Sequence, residues 1–597
     1  MNEPMKMFGV GVAAIVMCAQ ALETSGATVL SLDGPWQLAT DPKDIGRDGR
    51  WWTAPRPEAR WTKVPWIIQD AFPGYHGVAW YWRDFEAPVN AIPGGRSLLR
   101  FWQVDYKADV WLNEKFVGTH EGGESPFLFD VTDLIKPGAK NRLAVRVLNP
   151  THQAIDGIVL NETPHRNKAL PYSSGSAWNQ GGIWDSVEVL TVPAVRVEDL
   201  FVRPDWRTGQ IRVQLNIRNA GDSAVCGSLH LAVAPAATGQ TLATTDLRSE
   251  FKVGDTLVET ALSVDDAHLW NLDDPFLYRV TARVSAGSSG APSVGGGFHE
   301  HSVRCGFRDF RIEGGAFRLN GKRIYLRCSH TGNCCPIGLE MPHDADYLRR
   351  DLINQKMMRY NAIRFIAGVP KRYQLDLADE LGLMVYAESY AGWCLADSPR
   401  MKERYNESVF GMIRRDRNHP CIAIWGLLNE TSDGAVFRHA VSVLPDVRKL
   451  DDSRVVLLNS GRFDHAGGTA GIEVWRPVDR IDPCVTRNST DHVIRALGIT
   501  WQPGQIAFHP GRDGEYAVVR WTAPSDDKVE YSAIFRSIAE AATTDLHVIH
   551  NGDSLFDGVI NLEGRGPETK YSATIEVKAG DTIDSVCGWG NGNYGAD

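Results

Sequence analysis

An Asn-Glu pair closes a short apolar segment in the middle of the chain. The segment runs from Cys421 through Trp425 to Asn429 and Glu430, and His419 and Pro420 precede it. Parallel-barrel enzymes place their catalytic groups at the carboxyl ends of buried strands. Glu430 is therefore a candidate catalytic carboxylate if this segment is such a strand.

The elements around Glu430 alternate between apolar strands and helices, which is typical of a parallel sheet covered by helices. The predicted strands are Ile324–Arg327, Ala362–Ile366, Leu383–Glu388, Cys421–Glu430 and Val455–Asn459. The predicted helices are Tyr347–Tyr360, Tyr373–Leu381, Met401–Arg415 and Val436–Leu450. Because a closed (β/α)₈ TIM barrel needs about eight strands, we expect residues 308–463 to form a partial barrel, in a polypeptide cut short before strands six to eight. The alternative is an open five-stranded α/β domain.

Three further regions show the alternation of half-buried strands separated by turns. Residues 28–192 predict a jelly-roll β-sandwich, and residues 193–307 predict an immunoglobulin-like sandwich. Residues 464–597 return to strand patterning after the fifth predicted barrel strand. We expect them to form an accessory β-sandwich of the carbohydrate-binding kind.

Several motifs resemble those of glycoside hydrolase family 2, the β-galactosidase and β-glucuronidase group. They are Leu32-Asp33-Gly34-Pro35-Trp36, Val110 to Gly118, Gly181-Gly182-Ile183-Trp184, and the run Arg417, His419-Pro420, Trp425, Asn429-Glu430. The resemblance extends over residues 28–462. It implies a sugar-binding-like N-terminal domain and a retaining hydrolase of terminal β-linked sugars, with β-galactosides or β-glucuronides as the favoured substrates.

The resemblance also implies roles for individual residues. Glu430 corresponds to the acid/base, Asn429 to the residue that binds the sugar 2-hydroxyl, and Arg364 to the arginine that orients the nucleophile. Glu388 and Trp393 follow the third predicted strand, and we expect both at the mouth of the site, in contact with sugar or in support. The stretch Ile366 to Pro370 replaces the family's His-Tyr-Pro, so the contacts of that subsite stay open.

The nucleophile is not identified. A retaining enzyme needs a second carboxyl group about 5–5.5 Å from the first, and an inverting enzyme one about 6.5–9.5 Å away. Glu515 precedes a tyrosine, as the family nucleophile does, but it follows a turn and precedes an alternating strand. We interpret Glu515 as a residue of the accessory β-sandwich. Because no nucleophile is then identified, two alternatives stay open, a carbohydrate-binding protein without turnover and an inactive fragment.

The tetrad Leu-Asn-Glu-Thr, which contains Asn429 and Glu430, occurs twice in the chain. The other copy contains Glu162 and lies in the all-β region.

Composition excludes some functional classes. A net charge of -10 argues against a nucleic-acid-binding protein, because such proteins need a basic face. The sequence has no phosphate-binding loop, dinucleotide fingerprint or zinc-protease motif, so we predict no cofactor and no metal.

Nine scattered cysteines follow residue 21, which favours free thiols over a disulfide framework. The predicted partner is a carbohydrate, and the oligomeric state stays open.

The N-terminus predicts export. Lys6 precedes an apolar run from Met7 to Cys18, and Ala19-Gln20-Ala21 is typical of a signal-peptidase site. We expect residues 1–21 to be a signal peptide and the protein to be periplasmic or extracellular. No later segment is long and apolar enough to predict a membrane span.

Overall fold

The computed structural model describes residues 27–165, 179–286, 298–331, 345–393, 395–431, 434–460, 471–477, 482–496, 498–511, 513–539 and 542–590. The predicted signal peptide, residues 1–21, lies outside these ranges. Among the helices of the described ranges, none has the length and apolar character needed to cross a membrane.

The first region is a β-sandwich, as its alternating sequence predicts. Its strands form sheets of order β1-β13-β6-β10, β3-β2-β5-β11-β8-β9 and β4-β12-β7. The elements are β1 Thr28–Ser31, β2 Gly34–Asp41, β3 Arg60–Val64, β4 Trp66–Ile67, α1 Ile68–Ala71, β5 Gly77–Glu86, β6 Arg96–Phe101, β7 Val104–Asp105, β8 Lys107–Leu112, β9 Lys115–Glu121, β10 Phe127–Asp130, β11 Lys140–Asn149, β12 Gly182–Ile183 and β13 Val187–Val192.

Tryptophan fills the cores of several regions. Trp36, Trp80 and Trp82 of the first sandwich are at most 1% exposed, and so are Trp270 and Trp425 near the parallel sheet. Buried indoles contribute apolar area to folding and offer no face to a sugar. The high tryptophan content therefore reflects packing in these regions.

The second region is a smaller sandwich of two antiparallel sheets, β14-β15-β18 and β17-β16-β19-β20. Its strands are β14 Val195–Pro204, β15 Gln210–Asn219, β16 Val225–Pro235, β17 Ala243–Phe251, β18 Gly254–Ser263, β19 Tyr278–Ala286 and β20 Phe298–Cys305. A meander of β21 Phe310–Glu313, β22 Ala316–Leu319 and β23 Lys322–Arg323 leads into the next region.

Five strands of the third region pair in parallel, in the chain order β24-β25-β26-β27-β28. The elements are β24 Cys328–Thr331, α2 Ala345–Met357, β25 Ala362–Phe365, α3 Arg372–Leu381, β26 Met384–Glu388, α4 Met401–Asp416, β27 Ile422–Gly426, α5 Ala435–Ser442, α6 Leu444–Leu450 and β28 Val455–Leu457. Helix α3 ends as predicted at Leu381, and its C-cap is Gly382, where φ is +65° and a Cβ would lie 2.3 Å from the Leu272 carbonyl oxygen.

Three predictions within this region were wrong. The first strand begins at Cys328, not at Ile324, because the Asn361 side chain binds the backbone of Tyr325 and Arg327 before the parallel ladder starts. The predicted helix Val436–Leu450 is two helices, because Pro445 lacks the N–H that would continue the first. The predicted strand Cys421–Glu430 stops at Gly426, four residues before Glu430.

The fourth region is all β and holds more than the one sandwich predicted. Two small sheets, β29-β30-β33 and β31-β32, precede a four-stranded sheet β34-β39-β36-β37 and a two-stranded sheet β35-β38. The strands are β29 Ile472–Trp475, β30 Cys484–Asn488, β31 Ile494–Ala496, β32 Ile499–Trp501, β33 Ile506–His509, β34 Ala517–Thr522, β35 Asp527–Arg536, β36 Thr544–His550, β37 Asp553–Ile560, β38 Glu568–Val577 and β39 Thr582–Cys587.

Candidate active site

The carboxyl ends of four neighbouring parallel strands bring the candidate residues together. Arg364 is the third residue of β25, Glu388 is the last residue of β26, and Asn429 follows β27 by three residues. Ser460 follows β28 by three residues and forms a parallel bridge with Asn429. Carboxyl ends of parallel strands share one edge of a sheet, which is where such folds bind their ligands.

Arg364 is the centre of this cluster. Its Nε donates to Glu388 Oε1 at 2.8 Å, and its Nη2 donates to Asn429 Oδ1 at 2.6 Å and to Ser460 Oγ at 2.5 Å. The guanidinium also lies 5.0 Å from the centre of the Tyr386 ring. The guanidinium of Arg364 therefore positions Glu388 of β26, Asn429 after β27 and Ser460 after β28. Arginine suits this role because its five N–H donors lie in one rigid plane.

Glu388 is buried rather than facing the mouth of the site as we expected. Its side chain has no exposed surface. Its Oε2 accepts the Ala367 N–H at 2.7 Å, and its Oε1 accepts from Arg364 and from Ser460 Oγ, the latter at 3.3 Å. A buried carboxylate needs such partners. Both oxygens are engaged, so Glu388 supports the site and offers no oxygen to a substrate.

Asn429 forms hydrogen bonds through its backbone N–H and its side-chain oxygen, and its side-chain amide nitrogen remains available. It is 2% exposed, and its N–H donates to the Gly392 carbonyl at 2.5 Å. Its Oδ1 accepts from Arg364 and lies 3.2 Å from Ser460 Oγ, whose one hydroxyl proton is shared between this oxygen and Glu388 Oε1. The side-chain amide nitrogen makes no hydrogen bond within the described ranges, which leaves it as a donor for a ligand.

Glu430 combines an exposed side chain with an unusual backbone. Its φ is +48°, in the left-handed region, and its N–H donates to the Ser460 carbonyl at 2.7 Å. A non-glycine residue pays about 1 kcal/mol or more for this conformation, and such positions concentrate at functional sites. The conformation sets Glu430 apart from the copy of the tetrad at Leu160–Glu162, where a 3₁₀ turn holds Glu162.

Trp393 lies half-buried directly after the 3₁₀ turn Tyr390–Gly392. The same turn supports Asn429 through the Gly392 carbonyl. Sequence reasoning missed Ser460, which follows an ordinary strand and carries no motif. Only the parallel pairing of β27 with β28 places it beside Arg364.

A carboxyl group from the first sandwich holds this turn. Glu124 accepts the Tyr390 N–H and binds Ser408 Oγ of helix α4 at 2.6 Å, and Ser408 Oγ accepts the Ala391 N–H at 3.3 Å. Glu124 is 2% exposed. The N-terminal sandwich therefore contributes directly to the support of Asn429, although no pattern in the sequence marks Glu124.

Glu124 predicts a pH dependence of stability. Burial raises its pKa from 4.5 to about 8. Between pH 4.5 and about pH 8 the folded chain therefore keeps the Glu124 proton, whereas the unfolded chain has lost it. The free energy of unfolding falls as the pH rises through this range. We expect Glu124→Gln, which stays neutral, to flatten the dependence and to stabilise the protein at pH 8 by about 1–3 kcal/mol. Thermal unfolding of both proteins between about pH 4 and about pH 9, which brackets the ordinary pKa of 4.5 and the raised pKa of about 8, checks this, and parallel curves would contradict it.

Glu515 belongs to the fourth region and to none of the parallel strands. It is half-buried two residues before β34, its Oε2 accepts the Asp513 N–H at 3.0 Å, and its carbonyl accepts the Gly511 N–H at 2.7 Å. These contacts close the turn that the sequence predicted.

We expect Glu515→Gln to leave any hydrolytic rate unchanged within about twofold, because the variant keeps an oxygen that can close the same turn. Steady-state hydrolysis of aryl glycosides by the variant and the parent measures this. A loss of more than about tenfold would identify Glu515 as part of the catalytic site.

One group of potential metal ligands occurs within the described ranges. Asp379, His419 and Cys421 place one ligand atom each within 4.8 Å of one another. Asp379 already accepts the Cys421 N–H at 2.9 Å and binds His419 Nδ1 at 2.6 Å. Burial and the neighbouring Asp379 raise the pKa of the Cys421 thiol well above its usual value. Because metals bind the thiolate, this cluster fits an internal hydrogen-bond network better than a metal site.

Family models match three consecutive parts of the chain. "Glycosyl hydrolases family 2, sugar binding domain" matches residues 29–193, "Glycosyl hydrolases family 2" matches residues 195–308, and "Glycosyl hydrolases family 2, TIM barrel domain" matches residues 310–474. The architecture is therefore a sugar-binding domain, an immunoglobulin-like domain and a TIM barrel domain.

Relatives with assigned names support the same relationship. A beta-galactosidase from Aeromonas hydrophila is 26% identical over 476 residues, which cover 72% of this chain and 43% of the relative. A beta-glucuronidase from Bacteroides fragilis is 27% identical over 399 residues, which cover 62% of this chain and 52% of the relative. The aligned part of the chain thus spans about half, or less, of the length of these relatives.

A solved structure supports the fold. The β-glucuronidase from Ruminococcus gnavus superposes with a TM-score of 0.61 at 24% identity, over 72% of each chain. With the three consecutive domain matches, this places the parallel strands and both preceding sandwiches in one known architecture. The chain belongs to glycoside hydrolase family 2.

Proposed function

We propose that this protein is a glycosidase that hydrolyses terminal β-linked sugars by a retaining mechanism, with β-galactosides or β-glucuronides as substrates. One observation carries the proposal. The exposed carboxylate of Glu430 follows a buried Asn429 that Arg364 and Ser460 hold at the carboxyl ends of the parallel strands. The named relatives are β-galactosidases and β-glucuronidases, which supports this substrate class.

The residues divide the chemistry between them. Glu430 protonates the leaving oxygen of the glycoside and then activates the water that completes hydrolysis. Asn429 donates its amide N–H to the sugar 2-hydroxyl, a hydrogen bond that strengthens in the transition state of such reactions. Arg364 acts through Asn429 and Glu388 and is a positioning residue.

The retaining mechanism requires a carboxylate nucleophile, which we leave unassigned. Glu388 is buried and paired with Arg364, and Glu515 closes a turn in the fourth region. The full engagement of Glu388 favours a second candidate, a carbohydrate-binding protein without turnover. The two candidates differ in one result, the release of a sugar from a glycoside.

Hydrolysis of aryl β-galactoside, β-glucuronide, β-mannoside and β-glucoside by the purified chain tests the proposal. Turnover with release of the β-anomer, followed by nuclear magnetic resonance, supports a retaining glycosidase. Release of the α-anomer identifies an inverting enzyme. Saturable sugar binding without turnover supports the binding protein.

Two further roles belong to the same proposal. The sandwich of β34 to β39 serves as an accessory carbohydrate-binding module, and the exported protein acts outside the cytoplasm. Affinity electrophoresis in polysaccharide gels tests the first role, and fractionation of cells that produce the full chain tests the second.

A further inference from the structure

A basic cleft lies between the immunoglobulin-like sandwich and the parallel sheet. It has a volume of about 450 Å³, and seven arginines, three aspartates and Trp206 line it. The lining carries a formal excess of four positive charges, whereas the whole chain carries a net charge of -10. This local charge is opposite in sign to that of the protein.

Arginines oppose one another within this cleft. Arg203 and Arg212 are direct partners in the antiparallel pair of β14 and β15, an arrangement of like charges that destabilises a sheet. Arg308 and Arg454 both donate to the Ile422 carbonyl. Burial, with a smaller contribution from the charge of Arg454, lowers the pKa of Arg308 to about 9. An anion in the cleft would offset these repulsions.

Four of the seven arginines, Arg207, Arg212, Arg308 and Arg448, have no carboxylate partner within the described ranges. Arg207, Arg212 and Arg448 are also exposed. Arg308 uses its Nε and Nη2 donors on the Pro420 and Ile422 carbonyls. The three exposed guanidinium groups remain available to carboxylate or sulfate groups, which such groups bind through paired N–H donors.

The aspartates of the cleft are already engaged. Asp452 lies 3.6 Å from Arg203, and Asp309 lies 3.1 Å from Arg311. Asp205 accepts the Arg207 N–H at 2.9 Å and so closes a turn. The cleft therefore offers free donors to an anion and few free acceptors to a cation.

The cleft is distant from the candidate active site. Arg308 donates to the carbonyls of Pro420 and Ile422, at the amino end of β27. Glu430 lies beyond the carboxyl end of the same strand. Five residues of strand extend over roughly 16 Å, so one ligand ring cannot contact both places.

We propose that this cleft is a second binding site, which takes an acidic carbohydrate carrying carboxylate or sulfate groups. The exposed arginines Arg207, Arg212 and Arg448 bind the acidic groups. Trp206 is half-buried with the Arg207 guanidinium 5.1 Å from its ring centre, and its remaining exposed surface lies beside these arginines for contact with a sugar ring. The volume is within the range of small-ligand sites. The negative net charge of the chain opposes the alternative, a nucleic acid.

Calorimetric titration of the full chain tests the proposal. The probes are trigalacturonic acid, galactose 6-sulfate, neutral galactotriose and a single-stranded oligonucleotide. Arg212→Glu and Arg448→Glu reverse charges inside the cleft, and Arg248→Glu reverses an exposed arginine elsewhere on the same sandwich. Glu430→Gln alters the candidate active site and leaves the cleft residues unchanged, so it distinguishes ligand binding at the two places.

We expect an acidic sugar to bind the parent chain, Arg248→Glu and Glu430→Gln alike. Each reversal inside the cleft should weaken that binding at least about tenfold. The thermal midpoint of Arg212→Glu should equal or exceed that of the parent, because the variant no longer opposes Arg203. If Arg212→Glu fails to fold, Arg212→Gln replaces it, with the same expected loss of binding.

Three results would overturn the proposal. The first is the absence of saturable binding of both acidic sugars to the parent chain. The second is equal affinity in the parent and in both cleft variants. The third is tighter binding of the oligonucleotide than of either acidic sugar, which would assign the cleft to another class of ligand.

Discussion

Replacement of Glu430 by Gln is expected to lower the hydrolysis of an aryl β-glycoside with a poor leaving group by about 10²–10⁴-fold. The amide cannot protonate the departing oxygen, although it keeps the size of the carboxyl group. If the leaving group can depart with little protonation, the rate of the first step, in which the glycosidic bond breaks, should fall less. Steady-state kinetics on two aryl glycosides of different leaving-group acidity measure both effects.

The chain supplies a matched control for this variant. Glu162 stands in the same tetrad, Leu-Asn-Glu-Thr, but its carbonyl binds Arg404 and its carboxylate lies 4.0 Å from that arginine. Glu162→Gln keeps the carbonyl contact and should leave the rate within about twofold of the parent. Equal losses in the two variants, or no loss in Glu430→Gln, would contradict the assignment of Glu430 as acid/base.

Replacement of Arg364 by Met is expected to destabilise the protein by about 3–5 kcal/mol, because it leaves the buried Glu388 carboxylate without its cation. It should also lower hydrolysis, since Asn429 loses the guanidinium that positions it. Denaturant unfolding and kcat/KM, measured on the same preparations, give the two effects.

Two further variants distinguish the loss of the buried Arg364–Glu388 ion pair from the general effect of removing an arginine. Arg364→Met combined with Glu388→Gln should recover more than about 1 kcal/mol of stability, because the carboxylate is gone. Arg218→Met, which breaks a pair with Asp255 whose side chains are 40% and 45% exposed, should cost less than about 1 kcal/mol. A cost for Arg364→Met as small as that for Arg218→Met would contradict the buried-pair interpretation.

The order of regions was predictable from the sequence. Period-two alternation indicated the sandwiches, and the change to strand–helix alternation indicated the parallel sheet, because side-chain burial follows these periods directly. Element ends were less predictable. Asn361 displaces the first parallel strand and Pro445 divides a helix, so single polar or cyclic residues decided boundaries that periodicity left undetermined.

The sequence by itself determined the family motif, the candidate carboxylate Glu430 and the arginine of the second parallel strand, because their types and local spacing are one-dimensional information. Only the tertiary structure decided that Glu388 is buried against Arg364, that Ser460 joins them and that Glu124 of another region supports the turn before Asn429. These contacts join residues between 24 and 266 positions apart. Which distant side chains share one buried space depends on how the strands pair and the regions pack, and no local pattern in the chain records that.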